Sequence, residues 1–589
     1  MNYQSGNFSA FYRPKKQKDI AEKHAYIVGG GLAGLAAAAF LIRDAYLPGK
    51  NIHIFEELNL PGGSMDGLLK ENGFVIRGGR EMEAHFETLW DLFRSIPSLE
   101  EDNASVLDEF YRLNEKDPSY SYARLIEHQG FRSPTDGKLL LSKKAVAEII
   151  QLILTKEEDL QDVQINDVFS HEFFESNFWL YWCTMFAFEP WQSAMEMRRY
   201  LMRFAHLVGT LTDMSGLKFT KYNQYESLIK PLIHFLEEHH VHFHYETIVN
   251  QIIVNKVGDQ KQAKKMSYTE KGEDKTLTLS ANDYVFVTNG SITESSTYGT
   301  KDTPAPTPDQ LGASWQLWHQ LAQQDDSFGH PEVFYHHIPN KNWRISATLT
   351  FTDDKIVPYI ERICNKDPHS GSIVTSGPVT VRDSNWLLGF SISRQPHFKK
   401  QKENELIVWL YGLYSDTKGN YIDKTMPECT GEELTKEFLY HLGVPEENIQ
   451  AMVDTTNAIP VCMPYITSYF APRALGDRPK VVPKDTMNLA FIGNFAETER
   501  DTVFTTEYSV RTAMEAVYTL FHVDRPIPEV WPSCFDARVI LSALYYLTDK
   551  KPLPEMELSL GEKLITKEML HKIKGSYLEE LLKDAHLLD

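Results

Sequence analysis

The chain has 589 residues, too many for a single hydrophobic core, so it is expected to divide into several domain-sized units. Apolar residues at 42% and charged residues at 24% match ordinary globular usage and exclude a disordered chain. With 81 Asp and Glu against 60 Lys and Arg the net charge is −21, which argues against nucleic acid as a partner because phosphate neutralisation needs surplus cations.

Five cysteines (Cys183, Cys364, Cys429, Cys462, Cys534) lie far apart with no CxxC pair, which argues against a disulfide framework or zinc ribbon and for a reducing cytosol. Residues 1–19 are polar, with Lys15, Lys16 and Lys18 but no apolar run of the secretory kind. No stretch approaches the roughly 18 apolar residues that a spanning helix needs. A cytoplasmic location is expected.

In chain order, residues 25–28 read as a strand, 29–34 as a glycine turn, 35–44 as an alanine- and leucine-rich helix, and 52–55 as a second strand, together a βαβ unit. Residues 83–233 read as mostly helical and rich in aromatics, a helical cap. Strand alternation returns at 241–245 and at 284–287, the latter entering Thr288-Asn289-Gly290. Residues 300–308 read as a linker. Residues 489–492 form a late strand entering Gly493-Asn494, a helix follows over 509–521, and a helical block runs from 536 to 589.

Gly29-x-Gly31-x-x-Gly34 lies between strand and helix, and Glu56 ends the next strand about twenty residues on, where a ribose-binding acid belongs. Gly29 permits the turn, Gly31 lets backbone approach a pyrophosphate, and Gly34 allows close helix–strand packing, while the helix N-terminus offers N–H groups to the anion. A bound dinucleotide is expected, with a merely tight turn as the bland alternative. The motif does not choose between NAD and FAD. Gly62-Gly63, the turn Arg77-Gly78-Gly79-Arg80 and the late strand into Gly493 favour FAD.

Together these features resemble the two-dinucleotide-binding-domain flavoproteins. The resemblance implies an α/β fold with α+β inserts. Its Rossmann-like FAD domain would be discontinuous over 1–100, 205–300 and 484–530, with a substrate lobe over 100–205 and 300–484 and a C-terminal helical domain over 530–589. The two ends of the chain would share one sheet. The segment holding Asn289 resembles the strand that returns from the antiparallel insert.

Longer strings are more specific: Gly62-Gly63-Ser64-Met65-Asp66-Gly67, Arg77-Gly78-Gly79-Arg80-Glu81-Met82, Met197-Arg198-Arg199-Tyr200, Lys221-Tyr222-Asn223-Gln224-Tyr225, and Phe504-Thr505-Thr506-Glu507-Tyr508-Ser509-Val510-Arg511. These resemble the fatty acid hydratases, the oleate hydratase or myosin-cross-reactive antigen family, from Tyr3 to the C-terminal helices. The resemblance implies a homodimeric hydro-lyase that requires FAD. It would add water across a cis double bond of a long-chain unsaturated fatty acid, oleate or linoleate, to give a hydroxy fatty acid.

By the same resemblance Tyr200 is the proton donor and Glu81 orients and deprotonates water. Ser64 and Arg80 lie at the cofactor, and Met82 abuts the flavin ring. Gln224 and His397 grip the fatty acid carboxylate together with positions 391 and 393. Ser391 and Ser393 stand there in place of the threonine and asparagine expected, and at Ser393 an amide donor is lost. Each residue also has a plainer reading. Tyr200 could pack in the core, Glu81 could pair with Arg77 or Arg80, Met82 could fill a gap, and His397 could be a loop histidine. The rival function is a redox flavoenzyme of the amine oxidase or desaturase type, and a non-catalytic surface antigen is a third.

Two weaker signals remain. His234, His239, His240, His242 and His244 invite a metal, with His240, His242 and His244 expected on one strand face, but no second ligand type accompanies them and no metal is expected. Leu570, Ile573, Tyr577 and Leu581 fall at helical spacing beside Lys563, Lys567, Lys572 and Lys574. That helix is suited either to peripheral contact with anionic membrane lipid at the inner face or to packing on the body or another subunit.

Overall fold

The computed structural model describes residues 13–552 and 570–588, except residues 66, 72, 309, 339 and 340. Residues 1–12, Asp66, Lys563 and Lys567 of the sequence readings lie outside the described residues.

A five-stranded parallel sheet carries the glycine turn, in the order Leu489–Ile492, Asp283–Thr288, His24–Val28, Ile52–Phe55, His242–His244. Strands about 260 and 200 residues apart along the chain are therefore side by side, as the resemblance implied: Ala25 pairs with Tyr284, and Val285 with Leu489. The strand Leu489–Ile492 is buried throughout, as a parallel strand covered on both faces must be. Helix Leu32–Arg43 covers one face. Its run of four alanines lets it sit close, and helix Thr506–Leu520 packs across it, with the Phe40 and Tyr518 rings edge to face at 6.4 Å.

An antiparallel three-stranded sheet follows, Thr247–Val257, Gln260–Glu270 and Glu273–Thr278. The remaining large sheet has eight strands, ordered Thr297–Tyr298, Thr456–Cys462, Ile345–Phe351, Leu406–Gly412, Leu388–Ser391, Val379–Val381, Leu125–Glu127, Phe131–Arg132. Helices Val357–Cys364, Gly431–His441 and Glu446–Val453 contribute to a second apolar cluster with it. The molecule is thus a mixed α/β fold.

The 83–233 region is mostly helical, as read, but two short strands lie inside it: Leu125–Glu127 and Phe131–Arg132 join the eight-stranded sheet, the first of them parallel to Val379–Val381. Strands of two and three residues are too short to show a period of two. Residues 300–308 form no regular element but are tied down, since the Thr300 carbonyl accepts from Gly431 N at 3.1 Å. His240 sits in the preceding turn at φ +63°, so it does not share the face of His242 and His244. Their neighbour is His53, whose Nδ1 lies 3.0 Å from His244 Nε2, and His244 Nδ1 lies 3.0 Å from Glu270.

At the carboxyl end, helix Ala537–Leu547 packs on residues 205–210, and Tyr577–Asp584 buries Leu581 and Leu582 while Tyr577 and Leu578 face solvent. Among the described residues no helix is long and apolar enough to cross a membrane. The five cysteines are free.

Candidate functional site

The first strand ends at Gly29, whose φ of +99° is open to glycine at no steric cost; a Cβ there would also stand 3.0 Å from Thr288. Helix Leu32–Arg43 begins directly after it, and a Cβ on Gly34 would fall 2.1 Å from the Gly29 carbonyl oxygen. The N-cap, Gly31, supplies no side-chain cap, so the first turn is left to face the cleft beyond it. That cleft encloses ≈ 1350 Å³, its mouth included, and is walled by Gly29, Gly31, Glu56, Gly63, Ser64, Arg77, Arg80, Thr288 and Gly493 among others. Gly62 lies behind it and donates from its N–H to Gly30 O at 2.8 Å. Gly493, at φ +87°, donates to Thr512 Oγ1 at 2.9 Å.

Glu56 has a structural task that its spacing did not disclose. Its carboxylate accepts from Gly30 N at 2.8 Å and Leu58 N at 2.9 Å and so braces the glycine turn. Burial raises its pKa, and those two N–H groups oppose the rise. Around the cleft several buried polar atoms have no partner among the described residues: Thr288 Oγ1, both amide atoms of Asn289, Arg80 Nη2 and Glu294 Oε1. Buried polar groups are normally satisfied, so a cradle of backbone with unfilled donors and acceptors fits a polar dinucleotide.

The turn of residues 77–81 borders this cleft and three smaller cavities of ≈ 520, 520 and 380 Å³, their mouths included. Arg77 Nη2 donates to Gly63 O at 2.7 Å, tying the two glycine motifs together. Arg80 faces the cleft and all three cavities, its guanidinium 4.6 Å above the Phe504 ring and its Nη1 bonded to Gly79 O at 2.7 Å. Glu81 lines the three smaller cavities, and Gly79 leaves room for it, since a Cβ there would meet its carboxylate at 2.5 Å. Among the described residues Glu81 has no ion pair, so the reading that it pairs with Arg77 or Arg80 does not hold. Burial pushes its pKa up, while its own backbone N–H and the charges of Arg80 and Arg124 pull it down.

Tyr200 lies on helix Ala194–Arg203, whose N-cap Ser193 accepts from Glu196 N. The ring is fully buried among Phe186, Phe188, Phe470 and Phe204 at 5.0 to 5.7 Å, and the hydroxyl donates to Val503 O at 2.6 Å. Burial holds the phenol far above its ordinary pKa, and the neighbouring Tyr469, Glu196 and Asp501 push the same way. Tyr200 and Glu81 line the same cavity, whose other walls are mainly apolar: Met82, Phe86, Met185, Phe186, Phe204, Leu207, Leu217 and Phe504. Met82 thus faces the Tyr200 side rather than the large cleft, and its backbone exchanges hydrogen bonds with Lys218.

The loop carrying Val503 and Phe504 is held by buried charge. Arg203 pairs with Glu83 at 3.1 Å and Asp501 at 3.4 Å, and Arg511 pairs with Asp501 at 3.1 Å and Glu507 at 2.8 Å. Burial would raise the Glu83 pKa, but the His206 and Arg203 contacts outweigh it and depress it to about 2.

A second cavity brings together all four expected headgroup residues, Gln224, Ser391, Ser393 and His397, and it meets Glu81 and Arg80 at its other end. Gln224 Nε2 donates to Arg80 O at 3.4 Å, and Asn223 fixes the histidine loop by donating to His397 O from both N and Nδ2, at 2.9 and 3.0 Å. Burial presses the His397 pKa down to about 4, so the ring is neutral there. Ser391 Oγ is buried without a partner among the described residues. Ile373, Ile392, Ile407 and Trp409 supply apolar wall.

Sequence reasoning missed Thr288, Ser291 and Glu294 on the cleft and Arg124, Trp409 and Tyr411 near Glu81. Burial lifts the Glu294 pKa to about 7 against hydrogen bonds from Ser314. None of these residues stands in a spaced motif; Phe504, by contrast, lay inside a matched string.

Comparison with known proteins adds the following. The family model described as the MCRA family matches residues 22–518. Oleate hydratase of Streptococcus pyogenes serotype M49 (strain NZ131) is 55% identical over 592 residues, covering 100% of both chains. Linoleate hydratase of Lactiplantibacillus plantarum is 31% identical over 543 residues, 85% of this chain and 94% of that one. Among solved structures, cyclohexylamine oxidase from Brevibacterium oxydans IH-35A covers 85% of this chain and 99% of its own, at 11% identity and a TM-score of 0.47.

Proposed function

The chain belongs to the MCRA family, and from that premise we propose that it is an FAD-dependent fatty acid hydratase, a hydro-lyase that adds water across a cis double bond of a long-chain unsaturated fatty acid such as oleate or linoleate. The observation that carries this reading is the meeting of Glu81 and Tyr200 on one largely apolar cavity, with the Gln224–His397 cavity opening from the same glutamate.

An isolated alkene is a poor base, so hydration needs a placed acid, a placed base and stabilisation of positive charge between them. Gln224, Ser391, Ser393 and neutral His397 would bind the carboxylate and set how far the chain reaches. The apolar walls take the hydrocarbon. The phenol of Tyr200, kept protonated by burial, gives its proton to one alkene carbon, for which the hydroxyl must turn from Val503 O. Water adds to the other carbon, and Glu81 takes the water's second proton. In these steps the π bond, the phenol O–H and one water O–H break while a C–H, a C–O and a Glu81 O–H bond form. A proton passing from Glu81 back to the phenoxide resets the pair.

The cleft residues Gly29, Gly31, Gly63, Ser64, Glu56, Arg80 and Gly493 would hold FAD, with Gly34, Gly62 and Asn289 shaping the wall. When bound, FAD would supply a polar, electron-rich ring that can stabilise positive charge on the substrate. Hydration moves no net electrons. Water is the co-substrate, and we include a homodimer and peripheral lipid contact in this reading; the exposed Tyr577 and Leu578 near Lys574 support the latter.

The test incubates FAD-loaded protein with oleate under anaerobic conditions in ¹⁸O-labelled water. A product heavier by one water and carrying the label is expected. Oxygen uptake or peroxide on admitting air, with no hydroxy acid, would overturn the reading in favour of an amine oxidase or desaturase type of enzyme.

A further inference from the structure

Among the buried arginines Arg203, Arg473, Arg478, Arg511 and Arg525 each pair with two carboxylates within 4.0 Å. Arg80 and Arg124 are buried with no ion pair among the described residues, and of these two Arg80 lines the cleft while Arg124 is fully enclosed. Its Nε donates to Pro378 O at 2.9 Å and its Nη1 to Leu211 O at 2.5 Å, both neutral carbonyls, and its Nη2 is buried without a partner. A buried cation with no counter-charge is costly and calls for an explanation.

Its surroundings supply one. The guanidinium lies 5.0 Å over the Tyr181 ring, and Pro378, to which it is bonded, forms a wall of the cavity that Glu81 and Tyr411 also line. The titratable groups around it are Tyr181, Asp136, Tyr411, Cys183 and Glu81. Burial keeps both phenols and the thiol neutral. Asp136 is already engaged by Arg132 Nε at 2.8 Å, Tyr181 Oη at 2.7 Å and the Leu125 N–H at 3.1 Å. Glu81 is the carboxylate in this set that has no other ion pair among the described residues.

We infer that Arg124 is a positioning residue whose unpaired, buried guanidinium supplies the counter-charge to the Glu81 carboxylate across the Pro378 wall. The inference rests on the hydratase reading, in which Glu81 must be ionised to take a proton from water. Arg80 is the other charge acting on Glu81, but it opens to the cleft and all three cavities and stacks on Phe504, so its field is shared with whatever the cleft holds. Arg124 is enclosed and acts irrespective of cofactor.

The test is the pH dependence of kcat/KM for oleate in FAD-loaded protein. Arg124→Gln retains hydrogen-bond donors but removes the charge. Its acid limb is expected to move up by about one pH unit, a tenfold loss at acidic pH that fades as pH rises, with FAD affinity unchanged. Arg124→Lys restores the charge, and its acid limb should return to within a few tenths of wild type. Arg124→Met, neutral and without unmet donors, serves if the glutamine variant does not fold.

A rate lowered equally at every pH, or a lysine variant shifted as far as the neutral ones, would leave Arg124 a structural tie only and overturn the inference. Glu81→Gln separates the two claims. If it is inactive while the neutral Arg124 variants keep the wild-type limb, only the arginine's role fails; if it retains full turnover, Glu81 is not the base and the inference falls with it, whereas wild-type protein that forms no hydroxy acid would overturn the hydratase reading itself.

Discussion

The dinucleotide cleft and the Glu81 junction lie on either side of the same short turn, yet they are built by opposite means. The cleft is mostly backbone: glycines remove Cβ atoms where Gly34 meets the Gly29 carbonyl and where Gly31 meets Gly63, and a helix start faces the opening. The junction is mostly side chain. Residues 81, 124, 200, 224, 397 and 504 converge on it from different segments of the chain. A backbone site of this kind leaves no room for an added Cβ, whereas the junction depends on the identity of each converging side chain.

That contrast can be broken in order of expected effect. Glu81→Ala and Tyr200→Phe should each lower hydroxy fatty acid formation by about 10²- to 10⁴-fold, the usual yield of a placed acid or base, while the flavin absorbance of the purified protein is retained. Retained turnover in both would dissolve the junction as a site. Gly34→Ala should do the reverse. Overpacking against a carbonyl costs about 1–3 kcal/mol, so the melting temperature and the FAD content should both fall, whatever the substrate.

Smaller effects sharpen the comparison. His397→Ala or Gln224→Leu should raise KM for oleate about ten- to hundredfold with kcat little changed, because a hydrogen bond to a charged group is worth about 1.5–3 kcal/mol and this one is made equally before and during the reaction. The smallest is a stability change. The folded Glu81 pKa is raised, so its contribution to stability is fully present below the ordinary carboxylate value of about 4.3 and is lost as pH rises through the folded value. Glu81→Gln should accordingly melt slightly higher than wild type at neutral pH and no higher at low pH, by calorimetry. The acid limb of wild-type activity should lie above about 4.3 for the same reason.

What could be read from the sequence follows from the same division. The Gly29–Gly34 spacing with Glu56 located the cleft, because backbone geometry needs particular residues at short, fixed separations. That the late strand Leu489–Ile492 shares a sheet with the first βαβ unit came through the resemblance, and its direct neighbour there, Asp283–Thr288, was not foreseen. The pairing of Glu81 with Tyr200 and of Gln224 with His397 came only through the resemblance, since no spacing rule links positions more than a hundred residues apart. Arg124 and Glu294 were invisible for that reason: burial and a missing partner, rather than a pattern, mark them out. Leu125–Glu127 was lost inside a helical stretch because three residues cannot display an alternation.

The parallel sheet carries one more implication, for biosynthesis. Its central strand emerges first from the ribosome, but the neighbour Asp283–Thr288 follows some 260 residues later, and the edge strand Leu489–Ile492 comes near the end. Contacts of such long sequence separation form late, and at roughly 5–20 residues per second of translation the nascent chain spends tens of seconds with an incomplete nucleotide cradle. Cofactor loading is thereby deferred until synthesis is all but finished, and a ribosome stalled anywhere before residue 489 leaves a product that lacks an edge strand of the cradle, however well its earlier segments fold.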